Sequence, residues 1–286
     1  MIYDGDDYMK FDKYVGTGND FIIFNGMENP IEDLSNLALK VCHRQFGIGA
    51  DGILICEKSH TCDIKMIYYN SDGSQGEMCG NGIRCFSKYI YDNNIIDKKE
   101  FTVETLAGMK YISLDTDDNN KAQYINVDMG YPIFEGSKIP VNINKDKILN
   151  ESIEIDGKEF VFSALLVGVP HVVVFVDDIL QIDINNIGRN IENHQLFPRK
   201  TNVNFIKINS KNNINIYTWE RGAGRTLACG TGSCASVVIG NVLDKLDNKV
   251  KVNTEGGEIN VELEEDYKIN MRGTAIYVAS GEFLGL

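Results

Sequence analysis

MCGNGIRCFSKYI (78–90) and ACGTGSCASVVIG (228–240) are two renderings of one pattern. Both open a helix-like stretch with Cys-Gly-[Asn/Thr]-Gly, and their cysteines, Cys79 and Cys229, lie 150 positions apart. The same offset joins other segments. Val15–Asp20 and the apolar run Phe21–Phe24 fall on Leu165–Pro170, then His171 and the run Val172–Phe175. Asp51–Ile55 falls on Thr201–Phe205, and Tyr69-Asn70 on Trp219-Glu220. Phe101–Thr105 falls on Val250–Thr254 after a one-residue slip. A four-letter match arises by chance, but an offset held over separate segments does not. The chain reads as two homologous halves, each with its own core and one Cys loop.

Local patterning agrees. Short β-branched or aromatic runs bounded by Gly, Asn or Asp predict strands over 10–16, 20–25, 52–56, 64–70, 101–105 and 109–114. The same signals predict strands over 123–129, 159–168, 171–177, 203–209, 214–220, 249–253, 258–263, 267–271 and 275–279. Helices are predicted over 33–46, 81–94, 178–194 and 231–246, with Ile83, Phe86 and Ile90 on one apolar face and Cys234, Val238 and Val242 on another. Closely spaced strands around a helix in each half give an α+β class with mostly antiparallel sheet. Polar NN and DD runs mark 115–160 as loops or a crossover.

Bulk properties narrow the function. The net charge of -13 argues against a nucleic-acid partner, which needs a basic face. Local arginines and helix N-termini still allow a small anionic substrate. No run of about 18 apolar residues predicts a membrane span. The acidic start, MIYDGDDYMK, lacks the apolar core of a secretory signal. The first nine residues read as an extension before a fold that begins at Lys10. Seven cysteines, an odd number, point to free thiols in a reducing, cytoplasmic setting. Their spacings match no zinc pattern, so no metal is expected.

Cys-Gly-x-Gly before a helix has a chemical use. A helix N-terminus offers unpaired N–H groups and a partial positive charge. The N–H groups of Gly80, Asn81 and Gly82, and of Gly230, Thr231 and Gly232, are set to hold an α-carboxylate. The same field favours a thiolate at the adjoining Cys. Two such elements suit inversion of a stereocentre, with one thiolate removing a proton and one thiol delivering a proton to the opposite face. Buried, inert thiols are the ordinary reading for Cys42, Cys56, Cys62, Cys85 and Cys234. Position within the repeat lifts Cys79 and Cys229 above it.

Nearly the whole chain from Lys10 resembles the diaminopimelate epimerases. The resemblance is carried by KYVGTGNDFIIFN (13–25), CHRQFGIGADGIL (42–54), YYNSDGSQGEMCGNGIRC (68–85), GVPHVVVFVDD (168–178), TNVNF (201–205) and ERGAGRTLACGTGSCAS (220–236). It implies two pseudo-symmetric domains, each a sheet rolled around a central helix: 10–122 plus 275–286 carrying Cys79, and 123–274 carrying Cys229. It implies an active site in the cleft between them, no cofactor, a homodimer and a small amino-acid substrate. Cys79 and Cys229 match the family's catalytic pair. Asn19, Asn70 and Asn202 match substrate-contacting asparagines. Arg221 matches the residue that grips the distal carboxylate, and Glu220 accepts from an ammonium. Gly80–Asn81 and Gly230–Thr231 hold the reacting end. His171 and Glu220 match groups beside the cysteines that tune thiol protonation. A structural imidazole after a Pro turn is the competing reading of His171, and a surface ion pair that of Arg221.

One position departs from the family pattern. Gly168-Val169-Pro170-His171 stands where the family has Gly-Asn-Pro-His. Losing a hydrogen-bonding side chain can redirect substrate choice. LL-diaminopimelate is the leading substrate, and histidine or lanthionine are alternatives. An amino-acid-binding protein without catalysis and a Cys79–Cys229 disulfide switch are the readings from other classes.

Overall fold

The computed structural model describes residues 8–28 and 30–284. Residues 1–7 of the expected N-terminal extension, and Gly285 and Leu286 of the expected closing tail, lie outside the described residues. Met9 is 6% exposed and opens the first strand, so the fold begins ahead of Lys10. The chain divides into two compact units, Met1–Val127 with Gly273–Leu286, and Asp128–Arg272. The sequence reading puts the breaks after 122 and before 275.

The first unit runs β1 (Met9–Gly16), β2 (Asn19–Asn25), α1 (Leu34–Val41), β3 (Gly52–Glu57), β4 (Ile64–Asn70), β5 (Gln75–Gly76), α2 (Gly80–Asp92), β6 (Glu100–Thr105), β7 (Gly108–Thr116) and into β8 (Ala122–Gly130). Most neighbours are antiparallel, but β2 lies parallel to β3 and β4 parallel to β6. The C-terminal strand Ile276–Phe283 pairs antiparallel with β1. Phe21–Phe24 are all at most 1% exposed. A continuous apolar run of this kind belongs to a strand covered on both faces. Helix α2 packs on β1, β2 and β3. Ile83, Phe86 and Ile90 are fully buried, and so are Arg84 and Ser87 on its other sides. The helix is therefore enclosed rather than one-faced.

The second unit runs β9 (Ile148–Ile155), β10 (Lys158–Val167), β11 (Val169–Phe175), a 3-10 turn at Ile179–Gln181, α3 (Ile184–Glu192), β12 (Asn202–Ser210), β13 (Asn213–Glu220), β14 (Gly224–Thr226), α4 (Gly230–Val242), β15 (Lys249–Thr254), β16 (Gly257–Leu263) and β17 (Ile269–Gly273). Helix α4 is also buried nearly all round, against β10, β11, β12 and β16. It tolerates serines there because Ser233 and Ser236 donate back to the carbonyls of Cys229 and Gly232 at 2.9 and 2.7 Å.

The internal repeat holds at the level of register. Phe21 pairs with Gly52 across the parallel β2–β3, and His171 with Asn202 across β11–β12. Ile53 pairs with Tyr69, and Val203 with Trp219. Each pair reproduces the other at the Cys79-to-Cys229 offset. The slip recurs too: Ile64 pairs with Val103, whereas Ile214 pairs with Val252. The offset fails at the first hairpin. Thr17 and Gly18, both with positive φ, join Gly16 to Asn19, while Gly168 alone separates Val167 from Val169.

Other expectations need correction. The helix predicted to 46 ends at Val41, where Ile48 and Gly49 N–H both fold back onto the Val41 carbonyl at 2.9 Å. The helix predicted over 178–194 splits, because Asp178 and Asp183 each cap a new start by accepting from Leu180 and Asn186 N–H. The region 115–160 holds β9 as well as loops. Among the described residues no helix is long and apolar enough to cross a membrane.

Candidate active site

Cys79 and Cys229 are themselves the N-cap residues of α2 and α4. Both have extended backbones, φ -130°, ψ 123° and φ -123°, ψ 113°. Each Sγ accepts from the N–H three residues on, Gly82 or Gly232, at 3.4 Å. Sulfur thus sits where a Ser, Thr or Asp oxygen closes most helices. This corrects the expectation for Gly82 and Gly232, whose N–H groups face the sulfur rather than a carboxylate. Gly80–Asn81 and Gly230–Thr231 occupy the first helical positions, where an anion meets the helix field.

In the first unit Cys79 is half-buried and donates to Asn19 Oδ1 at 3.7 Å. Asn19 presents its oxygen because Nδ2 donates to Asp51 Oδ2 at 2.5 Å. Arg44 reaches Asp51 at 2.8 Å and Asp20 at 2.9 Å. Burial pushes the Asp20 carboxyl up, but hydrogen bonds from Arg44 and Lys13 outweigh it and hold its pKa below the ordinary value. Under the α2 start lies Arg84, fully buried. It donates at 2.9 Å to Gly80 O, Asn81 Oδ1 and Thr17 Oγ1. Asn70, at the end of β4, accepts from Tyr68 Oη and donates to Ser74 Oγ at 3.0 Å, which closes the turn leading to Cys79.

In the second unit Cys229 is buried, 6% exposed, and Thr231 Oγ1 lies 3.4 Å from its sulfur. Burial first, and then the adjacent Glu220 carboxylate, push the thiol well above its ordinary pKa, against the opposing bonds from Thr231 and Gly232. The expected lowering by the helix terminus is thus overridden here. Asn202 donates to Pro170 O and accepts from Arg221 N–H, both at 2.9 Å. It thereby fastens the Glu220-Arg221 turn to β11. The Arg221 side chain is exposed, with Nη1 donating to Arg199 O at 3.3 Å. His171 is fully buried, and burial, then the charge of Arg221, lower its pKa to about 3. Its Nδ1 lies 3.2 Å from Asn204 Nδ2.

The site residues expected in the second unit therefore gather around one Cys loop, and Asn19 meets Cys79 in the first. Sequence reasoning missed Asp51, Arg84 and Asn204. The signal was present for two of them. Asn204 stands in register with the buried Leu54, and Arg84 is a charge among the buried residues of α2. A buried polar side chain in an apolar slot needs a partner to satisfy.

Residues 11–135 and 163–278 match a family model described as diaminopimelate epimerase. The chain is 47% identical to the diaminopimelate epimerase of Caldanaerobacter subterraneus subsp. tengcongensis, over 96% of this chain and 99% of that one. It is 45% identical to that of Alkaliphilus metalliredigens, over 96% and 98%. A solved structure of a probable proline racemase from Agrobacterium radiobacter K84, with bound carbonate, is similar in fold. Its TM-score is 0.71 at 14% identity, covering 96% of this chain and 92% of that one. With two capped cysteines in one repeated frame and end-to-end likeness to these relatives, the chain belongs to the diaminopimelate epimerase family.

Proposed function

We propose that this protein is an isomerase that inverts the α-carbon of LL-diaminopimelate to the meso form, a step in lysine and peptidoglycan precursor synthesis, with Cys79 and Cys229 as the paired acid and base. The observation that carries the reading is the duplicated cap: each half ends a strand pair in a Cys whose sulfur closes a buried helix. One sulfur, as thiolate, takes the α-proton, and the other, as thiol, returns a proton to the opposite face. For the reverse direction the roles exchange. Charge that develops on the α-carboxylate is stabilised by the helix starts at Gly80–Asn81 and Gly230–Thr231. Glu220 receives the thiol proton of Cys229 or an ammonium hydrogen bond, and Asn19 holds the thiol of Cys79. Arg221 grips the distal carboxylate, with Asn70 and Asn202 shaping that end. A cytoplasmic homodimer that acts without a cofactor completes the proposal, and light scattering of the purified protein tests the dimer.

The deciding experiment is solvent deuterium exchange. The wild type incorporates deuterium at the α-carbon of LL-diaminopimelate, and Cys79→Ala and Cys229→Ala each lose turnover by about 10³-fold or more. Retention of turnover by either variant defeats the two-base scheme. Val169 favours one second reading. It occupies the register position of Asn19 and offers no hydrogen bond, so the same screen includes histidine and lanthionine. Faster exchange with either transfers the activity to that substrate.

A further inference from the structure

The imidazole of His171 is held by a set of contacts that fixes where its proton sits. Asn204 Nδ2 lies 3.2 Å from His171 Nδ1 and donates to the Val172 carbonyl at 3.0 Å. Asn204 Oδ1 accepts from Thr218 Oγ1 at 3.2 Å. These contacts orient the amide, since turning it over would set Oδ1 against the Val172 carbonyl oxygen. An amide nitrogen offers only protons, so His171 Nδ1 accepts, and the imidazole proton is on Nε2. Nε2 is fully buried and has no hydrogen-bond partner among the described residues. The same Asn204 oxygen occupies the space beside Gly232, where a Cβ would come within 2.3 Å of it. One side chain therefore ties β11 to β13 and lies close against the capped start of α4.

We propose that Asn204 is a positioning residue that locks His171 as a neutral imidazole with an Nε2–H donor, which serves an anionic acceptor, thiolate or carboxylate, during the reaction. A ring held this way cannot act as a base toward a thiol. Nε2 already carries a hydrogen, and protonation at Nδ1 would break the bond from Asn204. Burial, with Arg221 as the charged neighbour, holds the ring neutral in the same sense. His171 then acts on the chemistry by donating a hydrogen bond, not by accepting a proton. The catalytic use of this donor rests on the epimerase reading above, whereas the tautomer does not.

The test is nitrogen-15 spectroscopy of the histidine-labelled full chain, with His171 assigned through His171→Gln. The expected spectrum at neutral pH has a bare Nδ1 and a protonated Nε2. Asn204→Asp turns the partner into an acceptor, moves the proton to Nδ1, and lowers kcat by about 10²-fold or more with KM little changed. Thr218→Val, which removes the hydroxyl that orders the amide, gives a mixture of tautomers and serves if the Asp variant does not fold. His171→Gln keeps a donor near Nε2 and stays within about tenfold of wild type, whereas His171→Asn does not. With LL-diaminopimelate added, an Nε2 proton signal that moves in both Cys→Ala variants marks a carboxylate acceptor. One that no longer moves in one of the two variants marks the thiolate of the cysteine replaced there. An Nδ1-protonated or charged ring in the wild type overturns the proposal, as does a tautomer reversal that leaves kcat intact. Absence of α-exchange in the wild type overturns the epimerase reading alone.

Discussion

Behind Cys79 and behind Cys229 the backbone is the same and the chemistry is opposite. Register equates Phe21 with His171, Leu54 with Asn204, and Tyr68 with Thr218. The first set is an apolar wall, with Phe21 edge-on to Tyr68 at 6.0 Å. The second is a hydrogen-bonded chain from hydroxyl to amide to imidazole. In front, an amide at Asn19 meets the first sulfur, while a carboxylate at Glu220 stands against the second. A duplicated frame can thus fix two sulfurs identically and still set each among different partners. Position is set by the strand register and the helix cap, and the raised proton affinity of Cys229 by its burial and the Glu220 carboxylate beside it.

Four changes break or sharpen this contrast, the largest first. Arg84 has Cys234 as its counterpart, so only the first helix start rests on a buried guanidinium. Arg84→Leu removes the charged bonds to Gly80 O, Asn81 and Thr17, leaving the last two only each other, and is expected to cost about 3 kcal/mol, read from the urea midpoint. A loss below about 1 kcal/mol would show that these groups find other partners. Gly232→Ala drives a methyl into Asn204 Oδ1, whereas at Gly82 the nearest atoms, Cys79 Cβ and the Phe21 ring, lie at 3.3 and 3.4 Å. The second helix start should lose about 2 kcal/mol and Gly82→Ala clearly less. Equal losses would erase the polar–apolar distinction.

The third change concerns acid. His171 has a folded pKa depressed to about 3 from an ordinary 6.5, so the unfolded chain binds the extra proton between those values. The stability this group contributes is present above pH 6.5 and is lost as the pH falls toward 3, with about 1.4 kcal/mol gone at pH 5.5, where the comparison is made. His171→Phe, which copies the first unit, should flatten that part of the stability–pH curve, and an unaltered slope would refute the burial argument. The smallest effect is electrostatic. Glu220→Gln removes a neighbour that raises the Cys229 thiol, so pH profiles of thiol alkylation should show Cys229 reacting at lower pH while Cys79 keeps its own profile. An unmoved Cys229 profile would assign its high affinity for the proton to burial alone.

The pieces legible in the sequence were those the repeat imposes twice. The offset between Cys79 and Cys229 carried the pairing of Phe21 with Gly52 and of His171 with Asn202, and even the slip before β15. What the repeat does not impose was harder to read. Strand β9, ILNESIEI, alternates buried and exposed residues only over Ser152–Ile155, is interrupted by Asn150 with its positive φ, and sits in polar sequence that looks like loop. Strands β5 and β14 are too short for any periodicity. The paired cysteines Cys79 and Cys229 were visible by position, but their role as caps depends on φ and ψ, which Cys-Gly-x-Gly does not dictate. Within TNVNF the resemblance points to Asn202, and only contact with His171 and Thr218 reveals what the Asn204 amide orders.

A sulfur that closes a helix makes reactivity and folding one property. Loss of the thiol proton strengthens the acceptor that Gly82 or Gly232 donates to, so on the scheme proposed each turnover tightens one helix end as it relaxes the other. Any reagent that blocks the sulfur, whether by alkylation or oxidation, also uncaps the helix. Poisoned molecules should therefore be recognisable by fraying of the first helical turn, through faster amide exchange at Gly82 or Gly232, before any change in the surrounding strands.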